Sequence, residues 1–190
     1  MRKLILLAAA ASGLLVAQKA TLPVEGNAKS SVKVIVYEDL QCPDCADFRR
    51  MTDEQLLPRF GGRVAVVHKD FPLVKHAWAR PAAIAGRHFA SLSPEAAVKY
   101  RQYVYGRLRE ITADNFPDKV AEFGRSQGAD PEAARRALDN PELAALVERD
   151  YQEGVARGVA KTPTVFVNGR PFIEHFTFDE LAAAIEQALK

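Results

Sequence analysis

Residues 32–45 read Val32-Lys33-Val34-Ile35-Val36-Tyr37-Glu38-Asp39-Leu40-Gln41-Cys42-Pro43-Asp44-Cys45. The first six residues are β-branched or mostly apolar, which predicts a buried strand. Pro43 suits the first position of a helix, because a proline there loses no intrahelical hydrogen bond. The stretch therefore predicts a strand that runs directly into a helix, with two cysteines at the junction.

Cys42 and Cys45 are the only cysteines in the chain. In the first turn of a helix, unpaired N–H groups and the positive end of the helix dipole favour the thiolate, which is the reactive form. We expect Cys42 to face solvent there. The two intervening residues place Cys45 one turn further on, where the pair can close and reopen a small disulfide ring. The spacing therefore predicts a redox-active Cys42–Cys45 disulfide and no separate cofactor.

Other uses of a cysteine pair are less favoured by the sequence. A closed structural zinc site needs about four ligands, and the chain has no second cysteine pair. A purely structural disulfide across so short a loop would remove little entropy from the unfolded chain. A dithiol module that binds Cu(I) for delivery remains an alternative, although neither methionines nor histidines cluster near the motif. We therefore predict redox exchange and no metal site.

Residues 1–20 have the pattern of a secretory signal, in which Arg2 and Lys3 precede an apolar stretch that ends near Ala17. We expect removal near residues 18–20, with an uncleaved membrane anchor as the alternative. The signal predicts a periplasmic or other extracytoplasmic location, where a dithiol can stay oxidised and donate its disulfide.

Length and charge limit the other classes of function. A chain of 190 residues with 48% hydrophobic residues suits one domain with a proper core. Removing Arg2 and Lys3 takes the formal net charge from +2 to zero. A neutral protein has no large field to steer nucleic acid or an anionic membrane, so we expect neither as a partner.

The rest of the chain predicts one more strand, a helical block and a terminal hairpin. Residues 64–69 are strand-like, and residues 76–158 lack a convincing strand. Three helix starts in this block share one form, a capping residue followed by proline and glutamate: Ser93-Pro94-Glu95, Asp130-Pro131-Glu132 and Asn140-Pro141-Glu142. Two short apolar runs around Asn168-Gly169 then predict a hairpin, and a capping box at Thr177 predicts a last helix.

Three blocks of this sequence resemble the thioredoxin superfamily, and in detail its DsbA-like branch. The first is residues 34–45 with the Cys-x-x-Cys motif, and the second is Asp70-Phe71-Pro72-Leu73. The third is residues 158–170, in which Thr162-Pro163-Thr164 begins the hairpin. Together the blocks span most of the chain after about residue 31.

The resemblance implies an α/β protein, a thioredoxin fold with a helical subdomain inserted between the first βαβ unit and the C-terminal ββα unit. The corresponding ranges are 31–75 for the βαβ half, 76–158 for the insertion and 159–190 for the ββα half. The implied activity is that of an exported thiol-disulfide oxidoreductase acting on cysteine-containing client proteins. Oxidation is the favoured direction, and reduction or isomerisation of disulfides stays open.

The resemblance also implies roles for individual residues. Cys42 would be the nucleophile and Cys45 the resolving thiol. Pro163 would be a cis-proline packed against the disulfide, and the backbone of Thr162 would pair with an extended client segment. A membrane quinone-linked thiol oxidase would restore the disulfide.

Five further residues are candidates for tuning the cysteine pKa values: Pro43, Asp44, Lys161, Glu38 and Asp39. A carboxylate at Asp44 should raise the pKa of Cys42 and make a milder oxidant. Lys161 could offset this effect if it points toward the sulfur, although a solvated lysine is expected. Glu38 and Asp39 could relay a proton to or from Cys45, although acidic residues before the motif are expected to be solvated.

The four histidines, His68, His76, His88 and His175, are too scattered to form a recognisable metal or triad spacing. We expect surface or packing histidines and assign none of them to the chemistry.

Overall fold

The predicted strands assemble into one mixed sheet. The computed structural model describes residues 23–190, so the predicted signal at residues 1–20 lies outside the described residues. Within them, the sheet has five strands in the order β1-β3-β2-β4-β5, and only the β2–β3 pair is parallel. The strands are β1 (Val24–Gly26), β2 (Lys33–Glu38), β3 (Ala65–Asp70), β4 (Thr164–Val167) and β5 (Arg170–Ile173).

The first strand departs from the sequence prediction. No strand was predicted before residue 32, but Val24–Gly26 forms an edge strand antiparallel to β3, with Val24 opposite Val67. Three residues are too few to show an alternating pattern. The strand forms because β3 offers it an unpaired edge.

A helical crossover joins the parallel strands β2 and β3. It consists of α1 (Pro43–Met51), a π-helical segment (Thr52–Leu56) and α2 (Leu57–Phe60). The crossover satisfies the requirement that parallel neighbours be linked by a long connection, usually a helix. It also places the beginning of α1 directly beyond the carboxyl end of β2, where the cysteine motif lies.

The helical block lies between β3 and β4. Its helices are α3 (Ala79–Leu92), α4 (Pro94–Tyr105), α5 (Phe116–Ser126), α6 (Pro131–Arg136), a 3₁₀ turn (Ala137–Asp139) and α7 (Pro141–Ala156). All three predicted caps are confirmed: the side chains of Ser93, Asp130 and Asn140 accept hydrogen bonds from first-turn N–H groups. The order of elements agrees with a helical insertion in a thioredoxin fold.

The C-terminal unit also agrees with its sequence signals. Asn168 and Gly169 have positive φ values of 44° and 94°, as the two-residue turn between β4 and β5 requires. Helix α8 (Phe178–Ala188) begins with a complete capping box formed by Thr177 and Glu180. No helix of residues 23–190 is long and apolar enough to cross a membrane.

Two main apolar clusters divide the interior. The first lies between the sheet and helices α1 and α8, and includes Val34, Val165 and Ile185. The second fills the helical block with aromatic side chains such as Phe89 and Tyr100. Cys42 and Cys45 belong to the second cluster, so the motif lies where the βαβ unit meets the helical block.

Candidate active site

The cysteine motif begins at the N-terminus of α1, as its sequence predicted. Cys42 is the N-cap residue and Pro43 takes the first helical position, exposed to solvent. Both cysteines are unbonded thiols, and they are 4% and 1% exposed, respectively. The expectation that Cys42 faces solvent is therefore wrong. The cause is the apolar cluster around Trp78 and Phe116, which the insertion packs over the motif.

The two thiols differ strongly in acidity. The pKa of Cys42 falls from 9.0 to about 6, mainly because it is hydrogen-bonded to the Cys45 thiol, with smaller contributions from the Thr162 side chain and from backbone N–H groups. Burial raises the pKa of Cys45 well above its usual value, and the neighbouring Cys42 raises it further. The site therefore holds one thiolate and one protonated thiol at neutral pH.

The loop before β4 closes over the motif. The Thr162–Pro163 peptide bond is cis, as the resemblance implied. The sulfur of Cys42 lies 3.4 Å from the carbonyl oxygen of Thr162, to which it can donate when it is protonated. Thr162 is itself only 2% exposed. The fold thus brings together residues that lie 120 positions apart in the chain.

Asp39 holds the loop that leads to Cys42. Its carboxylate accepts hydrogen bonds from the backbone N–H groups of Gln41 and Leu73, each at 2.7 Å, and lies 2.8 Å from Nδ1 of His76. Its backbone N–H lies 3.4 Å from the sulfur of Cys45. The expectation that Asp39 is solvated is wrong, because its side chain is fully buried. Two of these partners, Leu73 and His76, lie in the loop after β3, and the local sequence does not reveal them.

Glu38 is buried one residue earlier, so its expected solvation is also wrong. Its carboxylate binds Nε of Arg101 at 2.7 Å, Nδ1 of His68 at 2.8 Å and the hydroxyl of Tyr105 at 3.0 Å. Burial alone would raise the pKa of Glu38, but His68 and Arg101 hold it well below its usual value. A carboxylate paired in this way is a poor proton acceptor at neutral pH.

Two of the proposed tuning residues are Lys161 and Asp44, of which the backbone N–H of Asp44 is among the groups that lower the pKa of Cys42. The ammonium group of Lys161 binds the carboxylate of Glu174 at 2.6 Å and is 60% exposed, which agrees with the expected solvated lysine. Asp44 is half-buried and lines a groove of about 450 Å³ beside α1, together with Phe48, Phe176 and other residues. Its effect on the pKa of Cys42 remains a prediction, although the net shift at Cys42 is downward.

Two histidines belong to the surroundings of the site, although the sequence analysis assigned none. His76 contacts Asp39, and His68 lies between Glu38 and Glu25. His68 follows Val66 at a spacing of two residues in β3, so the alternation of a strand places both side chains on the same, buried face. That alternation was a visible signal of a polar group on the buried face of the strand. In the described part of the chain, no group of three or more His, Cys, Asp or Glu side chains is arranged to hold a metal.

Comparison with known proteins agrees with this geometry. A family model described as thioredoxin matches residues 18–187. The chain belongs to the thioredoxin family. Among curated relatives of this family member, disulfide bond formation protein D of Bacillus subtilis is 23% identical over 171 residues, which cover 88% of this chain and 77% of that protein. Other relatives are longer, and the chain spans 25% of one and 60% of another.

Solved structures share the fold of this thioredoxin-family protein. Oxidised BdbD from Bacillus subtilis superposes with a TM-score of 0.75 at 22% identity, covering 88% of this chain and 92% of that one. DsbA from Chlamydia trachomatis gives a TM-score of 0.74 at 17% identity, covering 99% and 97%. The predicted family and fold are confirmed, and the names of the relatives confirm the predicted enzyme class, protein thiol-disulfide oxidoreductase.

Proposed function

We propose that this thioredoxin-family enzyme oxidises the thiols of exported, cysteine-containing proteins. The observation that carries the proposal is the unequal pair of thiols, in which Cys42 has a pKa of about 6 and Cys45 one well above 9.0. A stabilised thiolate favours the reduced enzyme, so the disulfide readily accepts electrons. A low thiol pKa also makes Cys42 a good leaving group.

The reaction follows from this difference in acidity. A client thiolate attacks the sulfur of Cys42 in the Cys42–Cys45 disulfide, and Cys45 leaves as a thiolate that takes up a proton. A second client thiolate then attacks the client sulfur of the mixed disulfide, and Cys42 leaves as a stable thiolate. The client gains one disulfide, and two electrons from its thiols are transferred to Cys42 and Cys45, the redox group of the enzyme.

The loop of Thr162 and Pro163 is the proposed client-binding edge. It lies against the sulfur of Cys42, with the Thr162 carbonyl oxygen 3.4 Å away. An extended client segment that pairs with the Thr162 backbone would bring its own cysteine to that sulfur. The motif therefore combines a reactive sulfur with a backbone surface that can bind many different sequences.

Export and regeneration complete the proposal. The pattern of residues 1–20 supports secretion into the periplasm or another extracytoplasmic space, where disulfides persist. A membrane quinone-linked thiol oxidase is the proposed partner that restores the disulfide. Both statements rest on the sequence and on resemblance.

The direction of the reaction is tested with two forms of one client. The oxidised enzyme should restore activity to a reduced, unfolded client, with oxidised glutathione as the terminal oxidant. An isomerase would instead rescue a client with scrambled disulfides, and only in its reduced form. Rescue of the scrambled client alone would contradict the proposed direction.

The buried hydroxyl of Thr162 has no hydrogen-bond partner among the described residues while Cys42 is a thiol, and it should donate to the sulfur and stabilise the Cys42 thiolate. We expect the thiolate absorbance of the reduced enzyme to rise through a midpoint near pH 6, and Thr162→Val to move that midpoint upward by about half a unit to one unit, as expected for one lost hydrogen bond. Thr164→Val is the matched control, because the Thr164 hydroxyl donates to the carbonyl of Lys161. A midpoint near 9 in the unaltered enzyme would contradict this account.

The same pKa predicts a pH dependence of stability. The folded-state pKa of Cys42 is depressed from 9.0 to about 6, so its thiolate stabilises the reduced enzyme fully above about pH 9. This stabilisation decreases as the pH falls toward 6. The free energy of unfolding in urea should therefore change with pH between 6 and 9 more strongly for the reduced enzyme than for reduced Cys42→Ser. Parallel pH profiles for the two proteins would contradict the shift.

Asp44 should make the enzyme a milder oxidant. Removing its carboxylate by Asp44→Asn should stabilise the Cys42 thiolate and shift the glutathione equilibrium about two- to fivefold toward the dithiol, as expected for a partly exposed charge pair. Asp47→Asn is the control, since Asp47 is exposed one turn further along α1 and pairs with Arg50. An equilibrium constant unchanged by Asp44→Asn would exclude this role.

A further inference from the structure

His68 lies between two buried carboxylates. It is on β3 and 2% exposed, with Nδ1 2.8 Å from Glu38 on β2 and Nε2 2.7 Å from Glu25 on β1. Each carboxylate also binds an arginine, Arg101 of α4 at Glu38 and Arg49 of α1 at Glu25, through the same oxygen atom that contacts His68. The histidine thus joins three neighbouring strands of the sheet directly beneath the cysteine motif.

The contacts of His68 determine how many protons its ring carries. A neutral imidazole has one N–H and one lone pair, so it can donate to only one carboxylate. The other nitrogen would then point its lone pair at a carboxylate oxygen less than 3 Å away. Arg49 and Arg101 favour the ionised form of both carboxylates. The arrangement is therefore satisfied only when both ring nitrogens carry protons and the ring is a cation.

The acidities of the three groups agree with this arrangement. Burial alone would lower the pKa of His68, but the charge of Glu38 and the hydrogen bonds to both carboxylates raise it. Burial would raise the pKa of Glu25, but His68 and Arg49 lower it to about 2. A cation between two anions is the stable state throughout the neutral range.

Glu38 connects this cation to the resolving cysteine. The hydroxyl of Tyr105 binds the Glu38 carboxylate at 3.0 Å and lies 3.4 Å from the carbonyl of Asp39, whose N–H contacts Cys45. After burial and the adjacent Cys42, the negative charge of Glu38 is a further cause that raises the pKa of Cys45. Any positive group that offsets the charge of Glu38 therefore lowers the free energy needed to ionise the Cys45 thiol.

We propose that His68 is a permanent imidazolium that acts as a positioning residue for Cys45, offsetting the charge of Glu38 whenever the Cys45 sulfur becomes an anion. Cys45 is anionic in the proposed reaction when a client displaces it. It is anionic again when the reduced enzyme is reoxidised and Cys45 attacks a mixed disulfide that its oxidant has formed on Cys42. In the second case the Cys45 thiol gives its proton to water, its sulfur bonds to Cys42 as the bond from Cys42 to the partner sulfur breaks, and the partner leaves as a thiolate. The inference deepens the proposed function and rests on it.

The charge of His68 is measured directly by nitrogen-15 NMR of the histidine rings in the full chain. We expect both ring nitrogens of His68 to remain protonated from pH 5 to 9, because each faces a buried carboxylate. In Glu25→Gln the second carboxylate is absent, so His68 should titrate within that range. A neutral His68 at pH 7 in the unaltered protein would overturn the proposal, whether or not the enzyme oxidises clients.

The effect on Cys45 is measured by the rate at which the glutathione mixed disulfide on Cys42 resolves. His68→Gln keeps one donor and one acceptor but removes the cation, and should slow resolution about tenfold, the change expected for one pKa unit. His88→Gln is the control, because His88 lies on α3 away from the carboxylates. A folded His68→Gln protein with an unchanged rate would overturn the proposal.

Glu25→Gln provides the test if His68→Gln does not fold. The rate at which its mixed disulfide resolves is measured at pH values below and above the midpoint of the His68 titration in that variant. Slower resolution above the midpoint supports the proposal, and an unchanged rate overturns it.

Discussion

Cys42→Ser should abolish disulfide transfer to a reduced client, by at least about a thousandfold, because serine cannot form the mixed disulfide through which exchange proceeds. No other sulfur can replace it, since Cys45 is the only other cysteine and is 1% exposed. The measurement is the rate of disulfide formation in the client, with thiols counted after alkylation.

Cys45→Ser is the matched variant, and it should behave differently. Its Cys42 can still accept a disulfide from glutathione and form a mixed disulfide with a client that has a single cysteine. Neither Cys45 nor a second client thiol is then present to release that client. A covalent enzyme–client adduct should therefore accumulate and disappear on treatment with dithiothreitol. If Cys42→Ser formed such an adduct, or still transferred disulfides to the client, another group would have to perform the exchange.

Arg101→Met should cost about 3–5 kcal/mol of the free energy of unfolding, the loss expected when one partner is removed from a buried ion pair. Arg101 is fully buried, binds Glu38 at 2.7 Å and lies 3.6 Å from Asp70. Methionine fills similar space but leaves the charge of Glu38 less compensated. Urea unfolding of the oxidised protein measures the loss.

Arg80→Met provides the comparison for this result. Arg80 pairs with Glu148 at 2.9 Å, but both side chains are more than 40% exposed. Solvent screening limits such surface pairs to about 1 kcal/mol or less. A loss for Arg101→Met no larger than that for Arg80→Met would mean that the buried charges contribute little to stability.

Much of the fold could be predicted because its signals are local. The apolar run before Cys42, the three proline-containing helix starts and Asn168-Gly169 each act within a few residues, and each forms the structure that its chemistry favours. The pairing of Cys42 with Cys45 could also be predicted, because the spacing alone brings the two sulfurs within reach of each other.

The surroundings of the site were harder to predict because they depend on contacts across the fold. Glu38 and Asp39 look like loop residues in the sequence, yet α4 and the loop after β3 bury both of them. Cys42 lies in an apolar cluster to which the helical insertion contributes Trp78, Phe116 and other aromatic residues. No local pattern reports how an insertion packs against a motif, so burial, and with it the cysteine acidities, became visible only in the structure.

The central claim is that Cys42 and Cys45 together take two electrons from a client. One equivalent of oxidised protein mixed with one equivalent of a reduced two-cysteine client, without other oxidants, tests it by mass spectrometry after alkylation. The account predicts that the client loses two thiols while the protein gains two, at Cys42 and Cys45. An unchanged client, together with tight binding of Cu(I) by the reduced pair, would contradict the account and favour a copper-binding module.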